Sequence, residues 1–434
     1  MTQPKQMACQ IVDLSHDGRG IGRIEGKTYF IEGALTGEEV EFSVVKEKRN
    51  FGQGRISKIL VQSDLRKIPR CPYFSHCGGC ILQHLDHNNQ VEQKERQLLT
   101  SLDHAGISVP KPFESIIGPQ WHYRRRARLA VRRNKQGQFL IGFRESGSKR
   151  IEVIEKCLVL DESLDEILSQ LSIVLQELPE FLNIIEIELV AAENAIAVAI
   201  TANKMIGLEE ANGIIKKLTS INAKSQLWWR DRNQSRYSCL SDVAESMFYL
   251  VDDSVKIHFE PGHFIQINRI VNQLMIDKMV QLFSLESKGT IVDLFCGSGN
   301  LSLPLAKYFD QVIGVEGLSF LVDKAIENAC DNVIKNVQFI TADLGKSNSL
   351  DGLSDMVNKV DAIILDPPRD GALAIMPWIA NSGAEMVLYI SCHPATMTRD
   401  LKILKQAGYK MAELGVLDMF PHTAHVESMS LLVK

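Results

Sequence analysis

Cys392 stands in the run Ser391-Cys392-His393-Pro394, directly after an apolar stretch, Val387–Ser391, that reads as a strand. A thiolate there is a carbon nucleophile, provided its surroundings activate it, because a free thiol is only a few per cent ionised at neutral pH. Asp366-Pro367-Pro368-Arg369 follows another apolar strand and offers a carboxylate on a rigid exit. His425-Val426-Glu427 adds a second carboxylate that could act as a base. Asp293-Leu294-Phe295-Cys296-Gly297-Ser298-Gly299-Asn300 joins a strand to a helix, where glycines let the backbone approach a ligand. It is neither the dinucleotide fingerprint nor a phosphate-binding P-loop, since it lacks the third glycine and the Gly-Lys-Ser/Thr ending. Glu316 closes the next strand, where a carboxylate can accept both ribose hydroxyls, and Asp343 closes the one after, where a base would lie. Together these residues predict a nucleoside site beside a thiol and two carboxylates.

A second cysteine group has other chemistry. Cys71, Cys77 and Cys80, with Cys157 further along, supply four thiolates. Their spacing suits either zinc or an iron–sulfur cluster, and His76, His84 and His87 keep zinc open.

These groups need a scaffold. From about residue 290, strands at Thr290–Phe295, Gln311–Val315, Val337–Thr341, Asp361–Leu365 and Val387–Ser391 alternate with helices, the pattern of a doubly wound α/β sheet. The first ~60 residues read as short strands cut by Gly18, Gly20, Gly22, Gly26, Gly52 and Gly54, which suits a small barrel. Between them, residues 151–250 mix helix and alternating strand. In Trp121–Arg133, alternation puts Ala127, Leu129 and Val131 on a core face. Arg126, Arg128 and Arg132 would share the opposite face, where they could track phosphates. Trp228 and Trp229 read as core.

The 434 residues carry a net charge of −5, which averages over an asymmetry. Residues 1–150 hold 25 basic and 15 acidic residues, a net of +10, and the remainder carries −15. One end is therefore expected to meet a polyanion. No apolar run approaches the ~20 residues of a membrane span, and the first residues lack the apolar core of a secretory signal. With nine cysteines, an odd number, the expected setting is the reducing cytoplasm. Nothing suggests more than a monomer.

Cys392 in SCHP, Glu427 in HVE, DPPR at 366–369 and the segment Phe264-Ile265-Gln266-Ile267-Asn268 together resemble the RNA uracil-5-methyltransferases, and the resemblance spans the chain. It implies a Rossmann-like S-adenosylmethionine-dependent methyltransferase domain at 251–434. It further implies an N-terminal TRAM barrel, OB-like, at 1–63, and a mixed α+β central domain at 64–250, of which 88–120 packs on the catalytic domain. By similarity Cys392 adds to C6 of uracil, Glu427 removes the C5 proton and Asp366 hydrogen-bonds the base. Gln266, Phe295, Asn300, Glu316, Asp343 and Asp366 would line the cofactor and base sites. The resemblance also selects a [4Fe–4S] cluster on Cys71, Cys77, Cys80 and Cys157. Transfer-RNA members typically lack both barrel and cluster, so the implied substrate is a uridine of 23S ribosomal RNA. Another 23S site, a transfer RNA, or a non-catalytic RNA-binding role are the alternatives.

Overall fold

In the computed structural model, which describes residues 5–110, 112–179, 182–243, 245–252, 254–283, 289–355 and 359–434, the glycine-cut N-terminal strands close on themselves. Strands β1 (Gln6–Leu14), β2 (Gly20–Ile24), β3 (Lys27–Glu32), β4 (Glu39–Glu47) and β5 (Phe51–Val61) form a closed barrel in the order β1-β2-β3-β5-β4. Ile11, Tyr29, Ile31, Val40 and Phe42 fill it. Gly52 and Gly54 are not turn residues but lie within β5. A Cβ on either would come within 2.4 Å of the Tyr29 or Phe42 ring, so they are the gaps into which these rings pack. A buried ion pair, Arg66 Nη2 to Glu38 Oε2 at 2.7 Å, ties the barrel to the chain that follows.

Helix α1 (His87–His104) starts at Asp86, whose side chain accepts the Asn88 amide. Its Leu98 and Leu102 share a core with Tyr389 and Leu401, far along the chain, so α1 packs with the C-terminal sheet.

The central region is a seven-stranded sheet built from β6 (Arg126–Arg133), β7 (Phe139–Arg144), β8 (Ile151–Val153), β9 (Ile184–Ala191), β10 (Ile196–Ala202), β11 (Ser225–Asp231) and β12 (Ser238–Cys239). The order is β12-β11-β10-β9-β6-β7-β8, parallel only between β10 and β11. Helices α2 (Glu162–Leu175) and α3 (Leu208–Ile221) bury Leu164, Leu171, Ile214 and Leu218 against it, in one core with Leu129, Ile187 and Trp229. The arginine strand departs from its expected face at one place. Arg126 is turned inward, its Nε donating to the buried Glu188 and its Nη1 to the His263 carbonyl at 2.6 Å. Alternation assigns a face but not a partner, and the facing strand happens to carry a buried carboxylate. Arg128 and Arg132 remain exposed.

A hairpin of β13 (Phe248–Val251) and β14 (Val255–His258) and helix α4 (Arg269–Leu282) lead into the last sheet. It comprises β15 (Thr290–Leu294), β16 (Gln311–Glu316), β17 (Val337–Thr341), β18 (Ala362–Leu365), β19 (Met386–Ser391), β20 (Lys410–Leu417) and β21 (Glu427–Val433). The intervening helices are α5 (Ser302–Leu305), α6 (Ser319–Asp331), α7 (Met376–Asn381) and α8 (Pro394–Gln406). The sheet order is β17-β16-β15-β18-β19-β21-β20, with β15 to β19 parallel and β21 antiparallel to both neighbours. Near-continuous apolar strands such as Ala362–Leu365, buried throughout, are what a parallel sheet covered on both faces requires. No helix among the described residues is long and apolar enough to cross a membrane.

Candidate active site

Parallel strands bring their C-terminal ends to one edge, and the register decides which residues meet there. Leu294 pairs with Val315 on one side and Leu365 on the other, Leu365 pairs with Tyr389, and Ser391 pairs with Ser428. The residues leaving these pairs therefore lie in spatial order along the edge as Glu316, Phe295, Asp366, Cys392 and Glu427. Such an edge is where open α/β sheets bind ligands.

The loop after β15 turns sharply at Phe295 (φ 66), Gly297 (φ 56) and Gly299 (φ 96). Glu316 clamps it, accepting the Gly297 amide at 3.2 Å on one oxygen and the Leu318 amide at 3.0 Å on the other. Asn300 is fixed by Tyr249 and Asn272, each donating to its Oδ1 at 3.1 Å. Asp293 is buried, accepts from the Ser302 hydroxyl, and leaves Oδ1 without a protein partner. Burial, helped by the Asp366 and Glu316 charges, pushes its carboxyl up to about 7. Asp343 stands apart. It is exposed, and its bonds to Lys346 and the Gly345 amide, both 3.1 Å, hold its carboxyl below the usual range.

Beside the loop, a cavity of about 530 Å³ is lined by Phe264, Gln266, Phe295, Glu316, Asp366, Arg369, Cys392, Phe420, His425 and Glu427. Gln266 Nε2 donates to Asp366 Oδ2 at 3.2 Å. Burial nevertheless lifts Asp366 to about 7. Burial and the Asp366 charge hold Glu427 well above the usual carboxylate range. Burial, then the Glu427 and Asp366 charges, push the Cys392 thiol up to about 11, against the lowering effect of Arg369. Such a site stores protons on its nucleophile and base until a cation or substrate rebalances it.

Cys392, Glu427, Asp366, Gln266, Phe295 and Glu316 thus converge on one cavity. Asn300 lines a small adjoining recess with Asp293, Gln266 and Asp366, whereas Asp343 lines neither. Cys71, Cys77, Cys80 and Cys157 line a separate cavity of about 410 Å³ with Arg124, Arg126 and Arg128. Among the described residues, no three Cys, His, Asp or Glu side chains are gathered closely enough to form a metal site as they stand. Sequence reasoning missed Arg125, which donates from Nε to the Gln266 carbonyl at 2.7 Å and lies 4.3 Å over the Tyr249 ring. The signal was available, since Arg125 falls in the same phase as Ala127 and Leu129, an arginine on the apolar face. Tyr249, Asn272, Phe420 and the role of His425 carried no local signature.

Residues 86–434 match the family described as tRNA (Uracil-5-)-methyltransferase. The chain belongs to the uracil-5-methyltransferase family. Residues 9–57 match the TRAM domain, the span of the closed barrel. Among relatives, the 23S rRNA (uracil(1939)-C(5))-methyltransferase of Shewanella sediminis is 37% identical over 98% of this chain and 95% of its own length. The enzyme of the same name from Vibrio parahaemolyticus is 37% identical over 99% of this chain and 96% of its own. The solved Pyrococcus abyssi tRNA (uracil-54, C5)-methyltransferase, in complex with S-adenosyl-L-homocysteine, superposes with a TM-score of 0.75 at 25% identity, covering 98% of this chain and 99% of that one. This uracil-5-methyltransferase is therefore an S-adenosylmethionine-dependent enzyme with the corresponding fold.

Proposed function

We propose that the protein methylates C5 of one uridine in 23S ribosomal RNA, a site of the uracil-1939 type, through a covalent Cys392 adduct. The observation that carries this reading is the meeting of Cys392, Glu427 and Asp366 on three adjacent strands, on a cavity continuous with the glycine loop. Uracil C5 is a poor nucleophile. When the Cys392 sulfur adds to C6, the ring electrons move to an enolate, and C5 becomes able to form a bond to a methyl carbon. S-adenosylmethionine supplies that methyl as a sulfonium leaving its sulfur, and its positive charge beside Asp293, Glu316 and Asp366 offsets the field that keeps Cys392 protonated. Glu427 then takes the C5 proton, and the C6–sulfur bond breaks as the ring double bond returns. Asp366, held by Gln266, hydrogen-bonds the ring where charge builds. The base has to leave its stack to reach this cavity.

The ribosomal substrate rests on the relatives' shared name at 37% identity. A second reading, a transfer RNA, is favoured by the Pyrococcus abyssi enzyme, which has a counterpart for nearly the whole chain, barrel included. Barrel content by itself therefore does not separate the two substrates. Incubation with methyl-labelled S-adenosylmethionine and separate 23S, 16S and transfer RNAs decides between them. Label in 23S RNA at a single uridine supports the proposal, and label in transfer RNA alone overturns it. Exposed Arg128 and Arg132 and the basic N-terminal third would hold the RNA. The substrate class and the nine cysteines, none in a disulfide, fit a single chain acting in the cytoplasm.

Cys71, Cys77, Cys80 and Cys157 would hold a [4Fe–4S] cluster. Their thiols surround one cavity, and burial raises all four, Cys80 to about 11 and Cys157 to about 12, with neighbouring cysteines adding to the rise in Cys77, Cys80 and Cys157. A cation that displaces their protons relieves that cost, and a cube binding each thiolate to its own iron suits ligands spread around a cavity. Anaerobically purified protein should be brown with about four irons per chain. A colourless protein containing zinc would reject the assignment.

A further inference from the structure

Between β20 and β21 the chain passes through a strap, residues 418–426, that delivers Phe420 and His425 to the reaction cavity. Their rings meet edge-on with centroids 5.6 Å apart. The strap is held mainly from outside its own sheet. Lys94 on α1, only 1% exposed, donates to Asp418 Oδ1 at 2.6 Å and to the Phe420 carbonyl at 3.0 Å. His87 Nε2 lies 2.7 Å from Asp418 Oδ2. The Gln90 side-chain oxygen accepts the His422 amide at 2.8 Å, and the His422 carbonyl accepts the Ile81 and Leu82 amides at 2.9 and 3.0 Å. His422 itself has φ 66, a backbone conformation uncommon for a residue with a side chain, and its ring packs on Trp121 at 4.1 Å. Backbone in that region persists only where its surroundings over-determine it.

A buried lysine–carboxylate pair is weak evidence for stability, because apolar residues of similar size do as well, and its better use is to fix one arrangement. Here the arrangement fixed is the backbone of Phe420. We propose that Lys94, acting through Asp418, is a positioning residue for methyl transfer, holding the Phe420–His425 wall so that the target base is pressed toward Cys392. The proposal rests on the covalent reading above. It predicts that loosening the strap slows attack by Cys392 without weakening RNA binding, which belongs to other surfaces.

The test uses the full chain carrying Glu427→Gln, in which methylated adduct accumulates. Adding Lys94→Met with Asp418→Asn removes both buried charges together and leaves His87 a hydrogen-bonding partner. Affinity for 23S RNA should stay within about twofold while adduct formation at saturating RNA and cofactor slows at least ~10-fold. An adduct rate within about twofold of the parent overturns the proposal, as does a loss of RNA affinity matching the loss of rate. His87→Leu, which leaves the Lys94–Asp418 pair in place, provides the same comparison if the double variant folds poorly. It should slow the adduct by ~3-fold at unchanged affinity, and an unchanged rate counts against the proposal. Absence of adduct in the Glu427→Gln parent overturns the covalent reading, and this inference with it.

Discussion

Cys392 and Glu427 face each other across the antiparallel pair β19–β21, one step beyond the Ser391–Ser428 pairing. A strand order that inserts β21 antiparallel beside β19 is what makes this possible, because β21 enters the sheet at the edge where β19 leaves it. The two groups share one electrostatic problem, since each would ionise more readily if the other did not.

That coupling is measurable in the free enzyme. Burial and the Glu427 charge raise the Cys392 thiol to about 11, while Arg369 opposes them. Glu427→Gln removes a negative neighbour, so the thiol should ionise at lower pH. Alkylation of Cys392 by iodoacetamide at pH 8, followed by mass spectrometry of its peptide, should speed up several-fold, because each unit of thiol pKa changes the thiolate fraction about tenfold. Arg369→Ala should slow it. Slower alkylation in Glu427→Gln would contradict this picture.

Asp366 carries a stability cost that depends on pH. Its folded-state carboxyl is raised from 3.8 to about 7 by burial. A carboxyl raised in this way binds its proton more tightly when folded, so it favours folding below its unfolded value, and that advantage disappears as pH climbs through about 7. Asp366→Asn should therefore raise Tm at pH 8 relative to wild type and show a much smaller gain at pH 5, while abolishing methyl transfer at both. Thermal melts across this range test it, and a Tm gain confined to pH 5 would refute the assignment of a buried, raised carboxyl.

The three arginines of β6 should separate into two behaviours. Arg126→Ala leaves Glu188, 1% exposed, without its cation, and removal of one partner from a buried pair costs about 3 kcal/mol. Its signature is a lower Tm. Arg128→Ala with Arg132→Ala should leave Tm unchanged and flatten the salt dependence of RNA binding, by roughly 0.7–0.9 in log–log slope for each phosphate no longer neutralised. An unchanged slope in the double variant makes the exposed face of β6 merely solvated.

Much of the reaction cavity was legible because a parallel sheet converts sequence into position. Strands identified by apolar runs must end at a common edge, so residues just past those runs, Glu316, Asp366 and Cys392, have to be neighbours. The barrel was legible from its glycines, although two of them serve ring packing rather than turns. Arg126 was misplaced because period-two alternation says nothing of the strand alongside, and Glu188 lies 62 residues away in the chain. The strap was out of reach for the same reason on a larger scale, Lys94 and Asp418 being 324 residues apart. Asp343 fell at the right strand end, but a local lysine and a turn amide have already claimed its carboxylate.

The central claim is that Cys392 becomes bonded to the uracil while Glu427 releases it. Glu427→Gln should therefore accumulate a protein–RNA species that survives denaturing electrophoresis when given 23S RNA and methyl-labelled S-adenosylmethionine. The label should be carried on that species, and digestion should place the RNA fragment on the peptide containing Cys392. Adding Cys392→Ala should remove the species entirely. A resistant, labelled adduct that persists without the Cys392 thiol would contradict the account.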